Sequence, residues 1–147
     1  DKEYRRAFIE LIGSYKKEKG IEGIVFGDIY LQEHKNWIDD VCAESKIQGI
    51  FPIWEKDTSK LIEEIIDAGF KSIVVSVRKD ALEEKWLGRK IDAKFVDDLR
   101  KLGDIDLCGE KGEFHTFVYD GPLFNKPVNF RTGKKISGDK HWFLEIT

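Results

Sequence analysis

The first half of the chain alternates between two hydrophobic patterns. Apolar residues recur three and four positions apart in three polar segments, which predicts three amphipathic helices. These apolar faces are Tyr4, Phe8, Leu11, Ile12 and Tyr15; Trp37, Ile38, Val41 and Cys42; and Leu61, Ile62, Ile65 and Ile66. Each helix is followed by a short apolar run, "IEGIVFG", "GIFPIW" or "KSIVVSV". Because helices alternate with non-alternating strands, we predict an α/β fold whose parallel sheet is covered by helices on both faces.

Turn-forming residues mark the expected ends of these elements. Gly20 and Gly69 are suited to end the first and third helices, and Thr58 is suited to cap the start of the third. Pro52 interrupts the second apolar run. Since proline has no backbone N–H, we expect it at the edge or the end of that strand.

The pattern changes after Val77. Residues 80–87 are typical of a short helix or turn, and one more amphipathic helix is predicted from Ile91, Phe95, Val96, Leu99 and Leu102. Short β-like pieces follow, "EFHTFVYD" and "HWFLEI", and we interpret residues 131–140 as a solvated turn. We therefore divide the chain into an α/β part, residues 1–77, and a small β-rich C-terminal subdomain, residues 78–147.

Composition narrows the functional classes. The 147 residues carry a formal net charge of −3, which argues against a nucleic-acid binder that uses a broad basic surface. Cys42 and Cys108 have no CxxC partner, so neither a zinc ribbon nor a secreted disulfide framework is indicated, and we predict no metal ligands. No apolar run reaches the ~20 residues that cross a bilayer, and the N-terminus is charged. We expect a cytoplasmic protein with no membrane partner.

Residues 108–124, "CGEKGEFHTFVYDGPLF", concentrate polar groups between glycines. As a strand, this segment places Glu113 and His115 on one face, about 7 Å apart, and Thr116 on the other. An imidazole beside a carboxylate exchanges protons near neutral pH, so acid–base chemistry is reasonable. Glu110 lies on a flexible turn between Gly109 and Gly112. The alternative is a hairpin whose charges face water, and composition alone does not decide between the two.

Gly27 and Asp28 end the first predicted strand. Ligands of open parallel sheets bind beyond the carboxyl ends of strands, so both residues are candidate ligand contacts. The alternative, which the residues by themselves favour, is a turn glycine and an aspartate that caps the following helix. No GxxxxGKS or GxxxxGKT loop, GxGxxG, GxSxG or HExxH motif occurs. We interpret His34 as a surface residue.

Four segments together resemble one known family. They are "EGIVFGDI", "FPIW", "WLGRKID" and, above all, "CGEKGEFHTFVYDGPLF", in which CGExGE precedes an aromatic residue and a Thr, and DxPxF follows. This pattern is similar to the diphthine–ammonia ligase (diphthamide synthetase) family of N-type ATP pyrophosphatases, and it covers nearly the whole chain. The resemblance implies an adenine-nucleotide α-hydrolase-like sheet followed by a family-specific C-terminal subdomain.

The resemblance also implies a reaction. In such enzymes ATP with Mg²⁺ adenylates a carboxylate, and ammonia then displaces AMP. In diphthamide-making relatives this carboxylate belongs to diphthine of elongation factor 2. It implies that Glu110 and Glu113 attract ammonium or take its proton. His115, Thr116, Gly109 and Gly112 would position the substrate, and Gly27 and Asp28 would contact the nucleotide.

Two departures from the family pattern matter. The SGGxDS loop that holds pyrophosphate does not occur in these residues, so we expect part of a longer enzyme with an α/β domain incomplete at its N-terminus. The alternative is a non-catalytic module that binds a nucleotide or a protein.

The second departure is the "GDI" sequence, which resembles the bacterial branch of the family, for which the resemblance implies another carboxylate as the acceptor. Uncovered sheet edges would favour self-association.

Overall fold

The structure, a computed structural model, describes residues 2–147. Asp1, the first residue of the predicted α/β part, lies outside the described residues. The chain forms two compact units, the first ending at Lys56 and the second being Asp57–Thr147. The sequence interpretation places the division after Val77 instead. The two divisions differ because Val77 lies in a strand that has partners on both sides within the second unit.

The first unit contains two helices and two short strands. Helix α1 is Lys2–Lys19, strand β1 is Gly23–Val25, helix α2 is Gln32–Ser45 and strand β2 is Gln48–Ile50. The two strands pair in parallel, with Gly23 opposite Gln48. The predicted second strand is shorter than "GIFPIW", because it ends at Ile50 and turns begin at Pro52. Proline cannot donate the next ladder hydrogen bond.

The core of the first unit joins both helices. Its buried members are Ile12, Ile38, Val41, Cys42 and Ile47, as the helical spacing of apolar residues indicates. Polar contacts at the surface link the same helices, since Arg5 donates to the Glu44 carboxylate over 2.6 Å. Helix α2 ends at Lys46 in the left-handed conformation, and the Lys46 N–H donates to the carbonyl of Ala43.

The second unit is built on an antiparallel sheet. Its elements are α3 (Thr58–Asp67), β3 (Lys71–Arg78), a 3₁₀ turn (Glu84–Trp86), α4 (Ala93–Arg100), β4 (Phe114–Asp120), β5 (Thr132–Ser137) and β6 (His141–Ile146). The strand order is β4-β3-β6-β5. The prediction that "KSIVVSV" is a strand is confirmed, but its assignment to the parallel sheet is wrong. β3 is antiparallel to both of its neighbours.

Strand β5 lies in the segment that the sequence interpretation assigns to a solvated turn, and that interpretation is wrong for Thr132–Ser137. The strand pairs with β6, with Ile136 opposite Phe143. All six of its residues are exposed, so the alternation that reveals a half-buried strand is missing. Lysines on a sheet edge discourage pairing with another chain, and β5 is an edge strand that carries Lys134 and Lys135.

The second unit has its own core, formed by the sheet, the helices and the 3₁₀ turn. Phe95 and Leu99 of α4 are fully buried with Val74 and Val77 of β3, and Trp86 packs edge-on against Phe95. The predicted fold class is confirmed: a parallel sheet flanked by helices is followed by a β-rich C-terminal subdomain. Helix α3 is capped by Asp57 and not, as predicted, by Thr58, since the Asp57 side chain accepts from the Lys60 N–H.

Candidate functional site

A tight loop precedes β4 and contains half of the predicted site residues, Gly109, Glu110, Gly112 and Glu113. Asp106 organises this loop, because its Oδ1 accepts hydrogen bonds from the N–H groups of Cys108 (2.9 Å) and Glu110 (3.2 Å). A further turn closes where the Gly112 N–H donates to the carbonyl of Gly109 over 2.9 Å. The Asp106 carboxylate and a backbone turn thus help to hold the loop between Asp106 and Glu113.

Both predicted loop glycines are required by the backbone. Gly109 has φ +70° and Gly112 has φ +75°, a region that residues with a Cβ atom rarely adopt. A Cβ on Gly109 would also come within 2.9 Å of the Phe114 carbonyl oxygen. The loop therefore approaches the first residue of β4 closely, which fixes the position of Glu113 between them.

Glu113 is the only charged residue among the described ones that is buried, with 2 % of its surface exposed. Its Oε1 accepts from the Asp106 N–H over 3.1 Å. Within residues 2–147 no group donates a hydrogen bond to Oε2, although this atom is also buried. A buried carboxylate oxygen without a donor is costly unless a proton or a cation compensates it. Glu113 is therefore the residue of this loop that most needs a ligand.

Arg78, the last residue of β3, ties the loop to the sheet. Its Nη1 donates to the Lys111 carbonyl over 2.6 Å, and its backbone N–H donates to the Glu113 carbonyl over 2.9 Å. Its Nε donates to Asp80 over 2.6 Å. This bond lowers the pKa of the Asp80 carboxyl below its usual range, so the contact remains ionic near neutral pH.

Strand β4 presents different residues on its two faces. Phe114, Thr116 and Val118 line one cavity, whereas Phe117 packs against Phe130 elsewhere. This is the alternation that the sequence predicts for a strand. His115 is exposed and lies opposite Ser76 of β3, whose Oγ is buried and has no hydrogen-bond partner among the described residues. His115 and Thr116 consequently do not converge on one point.

The cavity beside β4 has a volume of about 320 Å³ and lies in the second unit. It is lined by residues of α3, β3, β4 and the loop, among them Ile62, Ile65, Phe70, Cys108, Phe114 and Thr116. Burial raises the pKa of the Cys108 thiol to about 12, and the carboxylates of Asp106 and Glu110 act in the same direction. The protonated thiol donates to the Thr58 carbonyl over 3.4 Å.

The other two predicted site residues belong to the first unit. Gly27 is exposed, and a Cβ there would meet open space. Asp28 does not cap α2, whose N-cap is Leu31 without a side-chain hydrogen bond; it pairs with Nδ1 of His34 over 3.4 Å. Asp28 also lines a cavity of about 540 Å³ with the rings of Tyr4, Phe8, Phe26 and Trp37.

No metal-binding cluster is formed by the part of the chain that the structure describes, where no three His, Cys, Asp or Glu side chains come together suitably. A Mg²⁺ ion held by one or two carboxylates together with nucleotide phosphates would not need such a cluster. No helix within residues 2–147 has the length and apolar character needed to span a membrane.

Two residues of this site were missed by the sequence interpretation. The role of Asp106 was predictable from the sequence, because aspartate side chains often accept a hydrogen bond from the backbone N–H two residues later and so stabilise a turn. Arg78 offered no such signal, since its contact with Lys111 joins residues far apart in the chain.

Comparisons with known proteins agree with this architecture. The model of the diphthamide synthase N-terminal domain matches residues 3–49, and that of the diphthamide synthase C-terminal domain matches residues 57–147. Each match falls within one of the two compact units.

Relatives named diphthine–ammonia ligase match across both units. The protein from Bos taurus is 30 % identical over 122 residues, covering 81 % of this chain and 46 % of the relative. The Homo sapiens protein is 29 % identical, with the same coverage, and the Schizosaccharomyces pombe protein is 30 % identical over 111 residues, 18 % of its length. This chain spans about half the length of the animal relatives. It belongs to the diphthamide synthase family.

Proposed function

We propose that this chain provides the acceptor side of an ATP-dependent amide ligase of the diphthine–ammonia ligase type. The observation that carries the proposal is the buried Glu113 carboxylate with an Oε2 atom that lacks a donor, in the loop just before β4. An ammonium ion has the charge and the N–H groups that such an atom requires. The names of the relatives support ammonia as the nitrogen donor.

The proposed reaction has two steps. The acceptor carboxylate attacks the α-phosphorus of ATP, forming an acyl-adenylate and releasing pyrophosphate. Ammonia then attacks the acyl carbon, the amide forms, and AMP leaves as the C–O bond breaks. Adenylation is needed because a carboxylate oxygen is a poor leaving group and AMP is a good one.

Glu113 has a defined role in the second step. Ammonium is not nucleophilic until it loses a proton, and a carboxylate within hydrogen-bond reach is a suitable acceptor for it. We propose that the loop moves to admit ammonium to the buried Oε2 of Glu113, which then removes that proton while the Asp106 N–H holds Oε1. Glu110, on the same loop, adds negative charge that attracts the cation. His115 and Thr116 contact different parts of the acceptor, because they lie on opposite faces of β4, and Gly109 and Gly112 give the loop its shape.

The nucleotide is proposed to bind in the first unit, near Gly27 and Asp28. The cavity beside Asp28 is lined by four aromatic rings, which suit a flat purine base. The Asp28 carboxylate can accept a hydrogen bond from the exocyclic amino group of that base. We derive no step through Mg²⁺, for which the described residues form no cluster of three ligands. ATP would supply the adenylyl group.

The remaining proposals concern the setting of the reaction. A cytoplasmic location is supported by the free thiols of Cys42 and Cys108, which suit a reducing compartment. Self-association is supported by the edges of the two-stranded parallel sheet. The relatives are named for diphthine, and the acceptor that we propose is a carboxylate. Because the "GDI" sequence resembles a bacterial branch, we propose a carboxylate other than diphthine for such a protein.

The test compares variants of the complete gene product with ATP, ammonium and a panel of carboxylate acceptors. We expect Glu113→Gln to slow amide formation by about 10²-fold or more, the usual contribution of acid–base catalysis. Calorimetry should show unchanged ATP binding. Glu83→Gln, which alters an exposed glutamate of the same unit, serves as the matched control and should be fully active. Absence of both pyrophosphate release and ATP binding in the unaltered protein would falsify the proposal.

A second function has a specific observation in its favour. His115 and Thr116 lie on opposite faces of β4, so two of the predicted site residues do not act on one substrate atom. A non-catalytic module that binds a nucleotide or a protein has no need of such convergence. ATP binding without pyrophosphate release, under every acceptor and ammonium concentration tried, would favour this module.

A further inference from the structure

The cavity beside β4 is lined by buried residues on one side and by exposed residues on the other. Ile62, Ile91 and Phe114 contribute to its lining, and their exposed fractions are 5 %, 7 % and 4 %. Thr116 and Val118 of β4 also line it and are exposed to solvent. The cavity is therefore a concave surface with a packed floor and an accessible rim. Its volume of about 320 Å³ lies at the lower end of the range typical of small-molecule sites.

The lining of this cavity carries no charge. Its side chains are aliphatic, aromatic, hydroxyl or thiol groups. The thiol of Cys108 stays protonated at neutral pH, because burial raises its pKa to about 12. An ionised group placed against these walls would lose water without gaining a counter-charge, which costs free energy. The cavity consequently favours a neutral ligand.

A wall of the cavity is fixed by a glycine of the segment 108–124. A Cβ on Gly121 would come within 2.6 Å of Cδ1 of Phe70, and Phe70 lines the cavity. The φ of Gly121 does not lie in the left-handed region, so glycine is needed there for space and not for backbone conformation. The "DGP" sequence at the end of β4 thus makes room for the Phe70 ring, and the segment 108–124 also supplies Cys108 and Thr116 to the lining.

We infer that this cavity binds an uncharged apolar group, such as one aromatic ring or a branched aliphatic chain, carried by the acceptor. Assigning the group to the acceptor rests on the proposed function. The lining itself supplies the ligand class: apolar walls for the group, and the Thr116 hydroxyl at the rim for one hydrogen bond.

The experiment uses the 147-residue chain, labelled with ¹⁵N, and three probes that share one ring. Benzyl alcohol is neutral, benzylammonium is a cation and benzoate is an anion. We expect benzyl alcohol to cause saturable NMR shifts at Thr116, Val118 and Cys108, and the two charged probes to bind at least tenfold more weakly. Equal affinity of a charged probe, or the absence of saturation with benzyl alcohol, overturns the inference.

A pair of variants locates the binding. Val118 and Ile136 are both exposed, at 42 % and 50 %, and both lie on edge strands of the same sheet. Val118→Trp places an indole at the rim and should weaken benzyl alcohol binding at least tenfold. Ile136→Trp should leave the affinity unchanged. Both variants should fold, because neither residue is in the core. Unchanged binding by Val118→Trp overturns the assignment to this cavity.

The experiment contains no ATP, so its outcome is separate from the test of the ligase. Benzyl alcohol binding in a protein that releases no pyrophosphate supports the cavity and its ligand class, while the proposed function fails. Pyrophosphate release by a protein whose cavity binds no probe would support the proposed ligase function and contradict the inferred ligand class of the cavity.

Discussion

Cys108 is a buried hydrogen-bond donor, although it begins the segment with the most chemistry-bearing residues. Burial raises the pKa of its thiol to about 12, well above the ordinary value of 9.0. A thiol is a good nucleophile only as thiolate, so Cys108 is unsuited to covalent catalysis at neutral pH. Its contact with the Thr58 carbonyl over 3.4 Å connects the loop to the start of α3. The role of Cys108 is therefore structural.

The raised pKa predicts how stability depends on pH. The folded thiol keeps its proton to a higher pH than the unfolded one, so its contribution to the free energy of unfolding is complete below pH 9 and is lost as pH rises toward 12. We expect the urea midpoint of the unaltered chain to fall more between pH 8 and pH 11 than that of Cys108→Ala. Parallel curves for the two proteins would contradict the assignment.

The candidate site was predictable only in part from its residues. Gly109, Gly112 and Glu113 stand out in the sequence because glycines flank acids, and the structure gives the glycines positive φ and buries the glutamate. That Glu113 is buried did not follow from its type, since glutamates are almost always exposed. Its burial results from the Asp106 turn, which depends on loop geometry that no hydrophobic period encodes.

Each helix of the second unit begins at an aspartate whose side chain accepts a backbone hydrogen bond. Asp57 caps α3 and Asp92 caps α4, with distances of 3.1 Å and 2.8 Å to the N–H groups of Lys60 and Phe95. Such caps satisfy one of the donors that the first turn leaves free. For α3 the sequence analysis named only Thr58, whereas the structure places the cap one residue earlier, at Asp57.

The cap assignment gives a prediction for α3. Asp57→Ala should lower the free energy of unfolding by about 1 kcal/mol, the typical cost of losing a cap. Thr58→Ala should change it by much less, because the side chain that accepts the cap hydrogen bond is that of Asp57. Urea unfolding followed by circular dichroism measures both. A larger loss for Thr58→Ala would show that the cap is one residue later.

The hydrophobic pattern of the sequence predicts β3 as a strand but neither its pairing nor the existence of β5. β3 is buried on both faces, and such an apolar run is typical of a parallel strand, yet here it is central in an antiparallel sheet. Its partners are residues far along the chain, which no local pattern reveals. β5 has no buried residue, so only its pairing with β6 defines it.

At the scale of the whole molecule, the chain contains two separate cores. All buried members of the first core lie between Ile12 and Ile47, and all those of the second lie between Ile62 and Leu144. The family models divide the chain in the same way. A unit with its own core is able to fold alone.

Residues 57–147 should therefore fold without the first unit. We expect the isolated segment to show a β-rich circular dichroism spectrum and one cooperative urea transition. Val77→Asp, which puts a carboxylate at a fully buried position of β3, is the control and should abolish the transition. A non-cooperative transition in the unaltered segment would mean that its core is insufficient by itself.

The position of β6 has a consequence for synthesis on the ribosome. β3 pairs with β4 on one side and with β6, His141–Ile146, on the other. β3 emerges long before β6, and until His141–Ile146 are made, one edge of a strand bearing Ile73, Val74 and Val77 has no native partner. Unpaired apolar edges promote aggregation of incomplete chains. The nascent protein is thus most dependent on chaperones during the interval between the translation of β3 and that of β6.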